Sequence, residues 1–403
     1  MLRDKNGKSI ITSVINAMLQ MTARFFYSSA VITRSGPHIR DANSVQRYWN
    51  YFVIASLPAF LIGLWNLGHQ TNIAISDLRL IEVPGWRASI MNYFDIGFDP
   101  DIVSACMIHG LLYFVPIFLV ALLSGAIWQA LFATVRGKPV DDGLLYCAWF
   151  FSLIIPASTP LLSVMLGMSF GIVVGKLIYG GSGRYLVNPA LLGLAFLVFS
   201  YPGLIFGEGT WVPVAGYDQP TVLELVADEG GVDVINAVGY TWWQLFVGDR
   251  PGPVGITSVL GTLIGAVFLI FTGMASWRVI FGALAGLLGT VLLFNAIAPD
   301  NPMFSIPWYW HLVMGGFMFG AVFLATDPVA GATTNPGRWG FGLLVGVLTV
   351  LVRVTNPSFY EGVMFAILLA SMFTPIIDFI VTERNISRRV KRLQRVSQRV
   401  NDG

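Results

Sequence analysis

The sequence predicts an all-α polytopic membrane protein. It has about ten transmembrane helices in two inverted halves of about five each, with a long outer-face loop between them. Three observations carry this reading. Of the 403 residues, 55% are hydrophobic and only 11% are charged, against roughly 25% charged in an average soluble domain. The apolar residues fall in repeated runs of about 18–25, each long enough to cross roughly 30 Å of hydrocarbon as a helix. One long polar interval, 208–254, divides the chain; it carries Glu208, Asp218, Glu224, Asp228, Glu229, Asp233 and Asp249 against a single base, Arg250.

In chain order, residues 10–26 place Ile10, Ile11, Val14, Ile15, Met18 and Leu19 on one helical face. The run is too polar to span, which predicts an amphipathic helix lying on the inner surface. The first span is 51–67, with Trp49, Tyr51 and Trp65 as interfacial aromatics. A mixed loop over 68–101 follows. The uncharged run 102–135 reads as one long helix bent at Pro116, and 143–178 as two spans broken around Pro156 and Pro160. The fifth span is 190–206. After the polar interval come spans at 255–274, 279–298, 308–326, 339–352 and 359–381, and then a basic tail.

Charge sets the orientation. With the N-terminus inside, the inner turns carry Arg136 and Lys138, then Lys176 and Arg184, then Arg278, then Arg338. The outer turns are acidic or uncharged, as the positive-inside rule requires, and an even number of spans returns the tail Arg384–Arg399 to the inner side. Both termini are therefore expected in the cytoplasm. The chain divides into an N-terminal segment over residues 1–50, a first membrane half 51–207, the outer loop 208–254, a second half 255–382 and a tail 383–403. An odd number of spans in each half inverts one relative to the other, and Asn188-Pro189 and Asn335-Pro336 are weak echoes of such a repeat.

Several classes of chemistry are excluded. Cys106 and Cys147 lie in apolar runs far from any CxxC spacing, so they read as inert buried thiols, and His38, His69, His109 and His311 show no paired metal spacing. His311 reads as a hydrogen-bonded interfacial residue beside Trp308 and Trp310. There is no P-loop, no GxGxxG after a strand and no catalytic triad. Residues 1–10 lack the basic-then-apolar pattern of a signal peptide, which predicts a retained start. Nothing points to nucleic acid.

Local chemistry leaves alternatives open at each candidate position. Thr221 reads first as a solvated turn residue, and Asn188 as a helix cap. Gly125, Ala126, Trp128 and Gln129 read as a helix end with a belt aromatic. Asp327 and Asp378 stand at the inner ends of apolar runs, where an acid is costly and therefore functional by default.

The motifs sharpen these readings. Gly216-Tyr217-Asp218-Gln219-Pro220-Thr221 resembles the flavin-bearing segment of the B subunits of sodium-translocating NADH:quinone reductases. Gly180-Gly181-Ser182-Gly183-Arg184-Tyr185-Leu186-Val187-Asn188-Pro189-Ala190 resembles that family's glycine-rich turn. Further matches are Trp308-Tyr309-Trp310-His311-Leu312-Val313-Met314-Gly315-Gly316, Ala325-Thr326-Asp327-Pro328-Val329 and Glu383-Arg384-Asn385-Ile386. In order they run through nearly the whole chain, 38–389. The D subunit of Rnf complexes is related; the long N-terminal segment and tail favour the quinone reductase.

The resemblance implies a subunit of a translocase that passes electrons from covalent FMN through riboflavin to ubiquinone, coupled to movement of Na+ or H+. Thr221 would anchor FMN through its phosphate, with Asp218-Gln219-Pro220 in place of the family's usual small residues. Asn188, Arg184 and Tyr185 would form the non-covalent riboflavin region, with Tyr185 where the family often has asparagine. Gly125, Ala126, Trp128 and Gln129 would border the quinone, and Asp327 and Asp378 the cation path. Gln20 and Gln129 stand where the family generally has glutamate. NADH would be oxidised on another subunit of a six-subunit complex in a bacterial inner membrane, and a flavin transferase would mature the protein. The rivals are an Rnf-type subunit and, from another class, a urea-transporter-like channel without flavin.

Overall fold

The computed structural model describes residues 44–401 apart from 81, 84, 138–139, 207–208 and 357–360, together with residue 15. The amphipathic helix expected over 10–26 lies, apart from Ile15, outside the described residues, as do Gln20, Lys138 and Glu208. Among the described residues every regular element is helical. Five helices are long and apolar enough to cross a membrane: α1 (Val45–Asp77), α3 (Val103–Arg136), α12 (Trp277–Ile297), α15 (Asn335–Thr355) and the Val363–Arg395 stretch of α16 (Val363–Asn401). Shorter apolar helices pack among them: α4 (Leu144–Ile154), α5 (Leu161–Ile172), α6 (Pro189–Ser200) and α11 (Val259–Phe271). This is a polytopic membrane protein.

Several elements differ from their expected bounds. The helix expected over 51–67 runs on to Asp77, so the loop expected over 68–101 shrinks and itself holds α2 (Trp86–Tyr93). The reason is polar pairing: Asn66, Gln70, Thr71 and Asn72 are buried and hydrogen-bonded, so a helix that looks too polar to continue keeps its partners. The fifth run divides at Tyr201 into α6 and a single turn, α7 (Pro202–Ile205), because Pro202 cannot donate into the preceding helix. The interval 208–254 is not plain loop. It folds into α8 (Val222–Glu229), α9 (Asp233–Val238) and α10 (Trp242–Val247). Thr221 and Thr241 start α8 and α10 with reciprocal capping boxes to Glu224 and Gln244. The helix α16 runs on without a break from the last apolar run into the basic tail.

Two helix breaks shape the interior. The first was legible: α4 ends at Ile154 and α5 starts at Leu161, with Pro156 and Pro160 between. The second divides the run expected over 308–326. There α13 (Trp308–Val313) ends, Met314-Gly315-Gly316 bend, and α14 (Phe317–Phe319) follows. Both α5 and α14 then widen into a π-helical turn, at Val173–Leu177 and Gly320–Leu324. Such turns recur at functional sites. Each comes from a similar string (Gly171-Ile172-Val173-Val174 and Gly320-Ala321-Val322-Phe323), and each leads through a loop into a helix opening on Asn-Pro. The echo is not exact in register: Asn188 is itself the N-cap of α6, whereas Thr334 caps α15 and Asn335 lies one residue inside.

Helices α12 and α15 pack against each other through glycines. Gly282 and Gly286 face Gly342 and Gly346 so tightly that a methyl group added at Gly346 would stand 2.1 Å from the Ala283 carbonyl oxygen. In lipid, where no hydrophobic force drives helices together, such small residues permit the backbone approach that packing needs. A Gly346→Leu variant should therefore lose at least about 1–3 kcal/mol from overpacking. Gly289→Ala, where nothing lies within 4 Å, should be tolerated. Thermal aggregation of the detergent-extracted protein measures both; equal midpoints for the two variants would contradict the packing.

Candidate functional site

Asp327 organises the end of the molecule that carries the bases. It is 1% exposed and follows the second π turn. Its carboxylate accepts from the Tyr185 hydroxyl at 3.1 Å, from Asn188 Nδ2 at 2.9 Å, from Tyr146 at 3.5 Å and from the backbone N–H of Val329 at 2.9 Å. Asn188 Nδ2 also donates to the Tyr146 hydroxyl at 3.1 Å, while Asn188 Oδ1 caps Ala190 N at 2.9 Å. The loop after the first π turn and the loop after the second thus close on one carboxylate. Residues expected in two separate sites, Asn188 and Tyr185 beside flavin and Asp327 on a cation path, form one cluster. A buried carboxylate without these donors would be costly, so the cluster is obligatory once Asp327 is buried.

Beside it lies a cavity of about 610 Å³, bounded by Gly183, Trp277, Arg278, Thr326, Asp327 and Arg338 among others. That volume falls in the range of small-molecule sites, about 300–1,000 Å³. Tyr185 and Asn188 do not line it; they reach it through Asp327. Arg184 is exposed and stands apart from the cluster. The neighbouring loop is fastened from below: Lys176, fully buried, pairs with Asp141 at 3.1 Å, and the backbone N–H of Ser182 donates to the same carboxylate at 2.8 Å.

At the other end, Thr221 is not a solvated turn residue but 3% exposed. Its Oγ1 accepts from Glu224 N at 3.2 Å, and Glu224 Oε2 accepts from Thr221 N at 3.3 Å. Leu223, two residues on, packs against Gly315 in the second break. The segment before Thr221 is pinned by Tyr217 donating to Asp77 at 3.2 Å and by Gln219 donating to the Tyr240 hydroxyl at 2.9 Å. Burial, and then the Asp77 carboxylate, push the Tyr217 phenol up from its ordinary pKa, so it stays a donor.

The remaining expected residues are placed differently. Gly125 is no open shelf: a methyl group there would meet Leu144 at 2.6 Å and Met168 at 3.2 Å, so the glycine serves contact with α4 and α5. Ala126 and Gln129 are buried and Trp128 packs on the core, so they present no open groove. Gln129 keeps both amide atoms without a partner at 1% exposure. Asp378 is not a free acid either. It accepts from the Thr333 N–H and hydroxyl, both at 2.8 Å, and from Thr334 N at 3.1 Å, tying α16 to the start of α15.

Two arginines escaped the sequence reading. Arg250, 3% exposed, donates to the carbonyls of Thr257 (3.2 Å), Ile256 (3.1 Å), Gly315 (3.4 Å) and Met314, and its backbone pairs with Asn66. Arg353, fully buried, donates to the His311 carbonyl at 2.9 Å. Glu361 accepts from the Gly316 N–H at 3.2 Å. The second break is thus held by charged side chains that satisfy its freed carbonyls and amides. The signal existed, since Arg353 interrupts an apolar run and Arg250 is the lone base among acids.

Residues 32–387 match the family described as NQR2, RnfD, RnfE. The chain belongs to this family. Among its relatives is the B subunit of the Na(+)-translocating NADH-quinone reductase of Chromohalobacter salexigens, 45% identical over 377 residues that cover 93% of this chain and 91% of the relative. The B subunit from Azotobacter vinelandii is 42% identical over 379 residues, 93% of this chain and 94% of the relative. That of Pseudomonas aeruginosa (strain LESB58) is 43% identical over 371 residues, 91% and 92%.

For this member of the family, Asp327→Ala would strand the Tyr185, Asn188 and Val329 donors, each at a cost of about 1–3 kcal/mol if left unpaired. The expected outcome is a protein that unfolds well below the parent in a detergent melt. Arg184→Ala, on the exposed neighbour, should leave the melt unchanged; equal melts for both variants would remove Asp327 from its central place.

Proposed function

We propose that the chain is the B-type membrane subunit of a Na+-translocating NADH:quinone reductase, carrying flavins between redox partners and coupling their reduction to cation movement. The observation that carries the reading is near-full-length identity to B subunits, at 42–45% over 91% or more of both chains. The same extent favours this reading over the Rnf-type subunit, and over a flavin-free channel.

Two places on the chain fit flavins. Thr221 Oγ1 acts only as an acceptor, and no described residue accepts its proton. An ester formed there keeps the lone pair that caps α8, and a helix N-terminus favours phosphate. Thr221 would hold FMN by that ester. The cavity beside Asp327 is roomy and polar enough for riboflavin, with Asp327 and the loop at Gly183 on its wall and Arg278 and Arg338 at its rim. Flavins supply one- and two-electron transfer. The chain positions them: Tyr185 and Asn188 hold the Asp327 carboxylate still, and the Arg250 and Arg353 contacts fix the break against which Leu223 rests.

Further elements of the reading follow from the family. The spans number about ten in two inverted halves, with segments 1–50, 51–207, 208–254, 255–382 and 383–403. Support for the orientation comes from the gathering of Gly183, Arg278 and Arg338 round one cavity, as a basic inner end requires. Both termini would then be cytoplasmic. The partners are the other subunits, ubiquinone, the transported cation near Asp327 and Asp378, and a flavin transferase.

Denaturing electrophoresis of the membranes under ultraviolet light, with the flavin transferase present, tests the core of this. A fluorescent band at 44.1 kDa is expected for the parent and none for Thr221→Ala. The substitution also removes a cap worth about 1 kcal/mol, so protein amount is read by stain in the same lanes. A parent without a band would sink the covalent-flavin reading.

A further inference from the structure

The geometry points to a binding site for the phosphate of an anionic lipid headgroup, in a cavity at the acidic-loop end of the molecule between α2, α3 and the start of α5. The cavity measures about 490 Å³ and is lined by Arg87, Tyr113, Ser158, Thr159, Pro160 and Gly216 among others. It is separate from the cavity beside Asp327 and does not depend on the flavin reading.

Three kinds of donor meet there. Arg87 spends its Nε on the Leu112 carbonyl at 3.2 Å and lies over the Tyr113 ring at 4.2 Å, which fixes the guanidinium plane at the cavity wall. Pro160 opens α5, a 12-residue helix with no side-chain cap, so the first N–H groups of that helix have no acceptor within it. The third observation is independent of these. Thr159, also in the lining, is 4% exposed, and its hydroxyl has no hydrogen-bond partner. Buried hydroxyls are rarely left so. A guanidinium, a helix N-terminus and an unspent hydroxyl together suit phosphate oxygens, which only accept. The acids nearby are already engaged: Asp218 takes the Gly209 N–H at 2.8 Å, and Asp77 takes the Tyr217 hydroxyl.

The surroundings say that the phosphate belongs to a lipid. Trp86 and Tyr93, seven residues apart on one face of α2, and Phe94 just after it are all exposed, as in a helix resting at the headgroup level. Leu111, Val115, Leu119 and Leu123 form an exposed stripe down α3, and Leu161, Leu162 and Met165 expose the start of α5. Acyl chains from a headgroup held at Arg87 would run along these side chains.

The test uses the detergent-extracted, delipidated full chain and reads its thermal midpoint during titration. The probes are phosphatidylglycerol, a diacylglycerol with the same chains, and inorganic phosphate alone. Phosphatidylglycerol should raise the midpoint and diacylglycerol should not. Arg87→Gln should weaken the phosphatidylglycerol response by on the order of tenfold in concentration, the loss of one charge-assisted contact. Thr159→Val, which keeps shape and removes only the hydroxyl, should weaken it as well and carries the test if Arg87→Gln fails to fold. Inorganic phosphate reproducing the shift would uphold the anion site and assign it to free phosphate. A response to phosphatidylglycerol that both variants leave unchanged, or that diacylglycerol matches, would overturn the site.

Discussion

The burial of one carboxylate constrains the whole basic end of this protein. Asp327 is closed off from water, and an acid so placed must collect donors. It finds them on elements far away in the chain: Tyr146 on α4, and Tyr185 and Asn188 just before α6. Those bonds draw the loops after both π turns together, and the meeting leaves a ligand-sized cavity on one side. Because Asn188 also caps α6, a change at the carboxylate would be felt in the direction of that helix.

The acidic end solves a related problem with the opposite charge. Breaking a helix inside a membrane protein frees carbonyls and amides that lipid cannot satisfy. At Met314-Gly315-Gly316 the freed carbonyls go to Arg250 and the Gly316 amide to Glu361. Arg250 reaches in from the polar interval, so the segment that bears Thr221 is tied through its own chain to the break. Asn66 and Gln70 on α1 hold Arg250 and Asp249 in turn. A redox centre placed on Thr221 would therefore rest on a rigid platform, which is what a defined transfer distance demands.

Much of this was legible. The prolines announced the first break, and the family resemblance pointed to Thr221, Asn188 and Asp327; the caps at Thr221 and Thr241 were missed, because the interval 208–254 reads as loop. The second break was not legible, because Gly315-Gly316 sits in an apolar run that reads as continuous. The polar stretch of α1 was missed for the converse reason: Asn66, Gln70 and Asn72 look like a loop until their partners at Arg250, Asp249 and Cys106 are seen. Gly125 shows the same limit, since a glycine in an apolar run serves a ligand or a neighbouring helix equally well by sequence, and here it meets Leu144 and Met168.

Composition and spacing alone determined that the chain is helical, crosses a membrane several times and divides around an acidic interval. Those are local properties: the length of an apolar run, the charge of a turn, the fixed φ of a proline. Only the tertiary structure decided that Asp327, Tyr185 and Asn188 are one cluster and that Thr221 is enclosed. It also decided that Arg250 belongs to a break 64 residues away. Hydrogen bonds between distant segments have no period and no composition, so they become visible when the chain has folded.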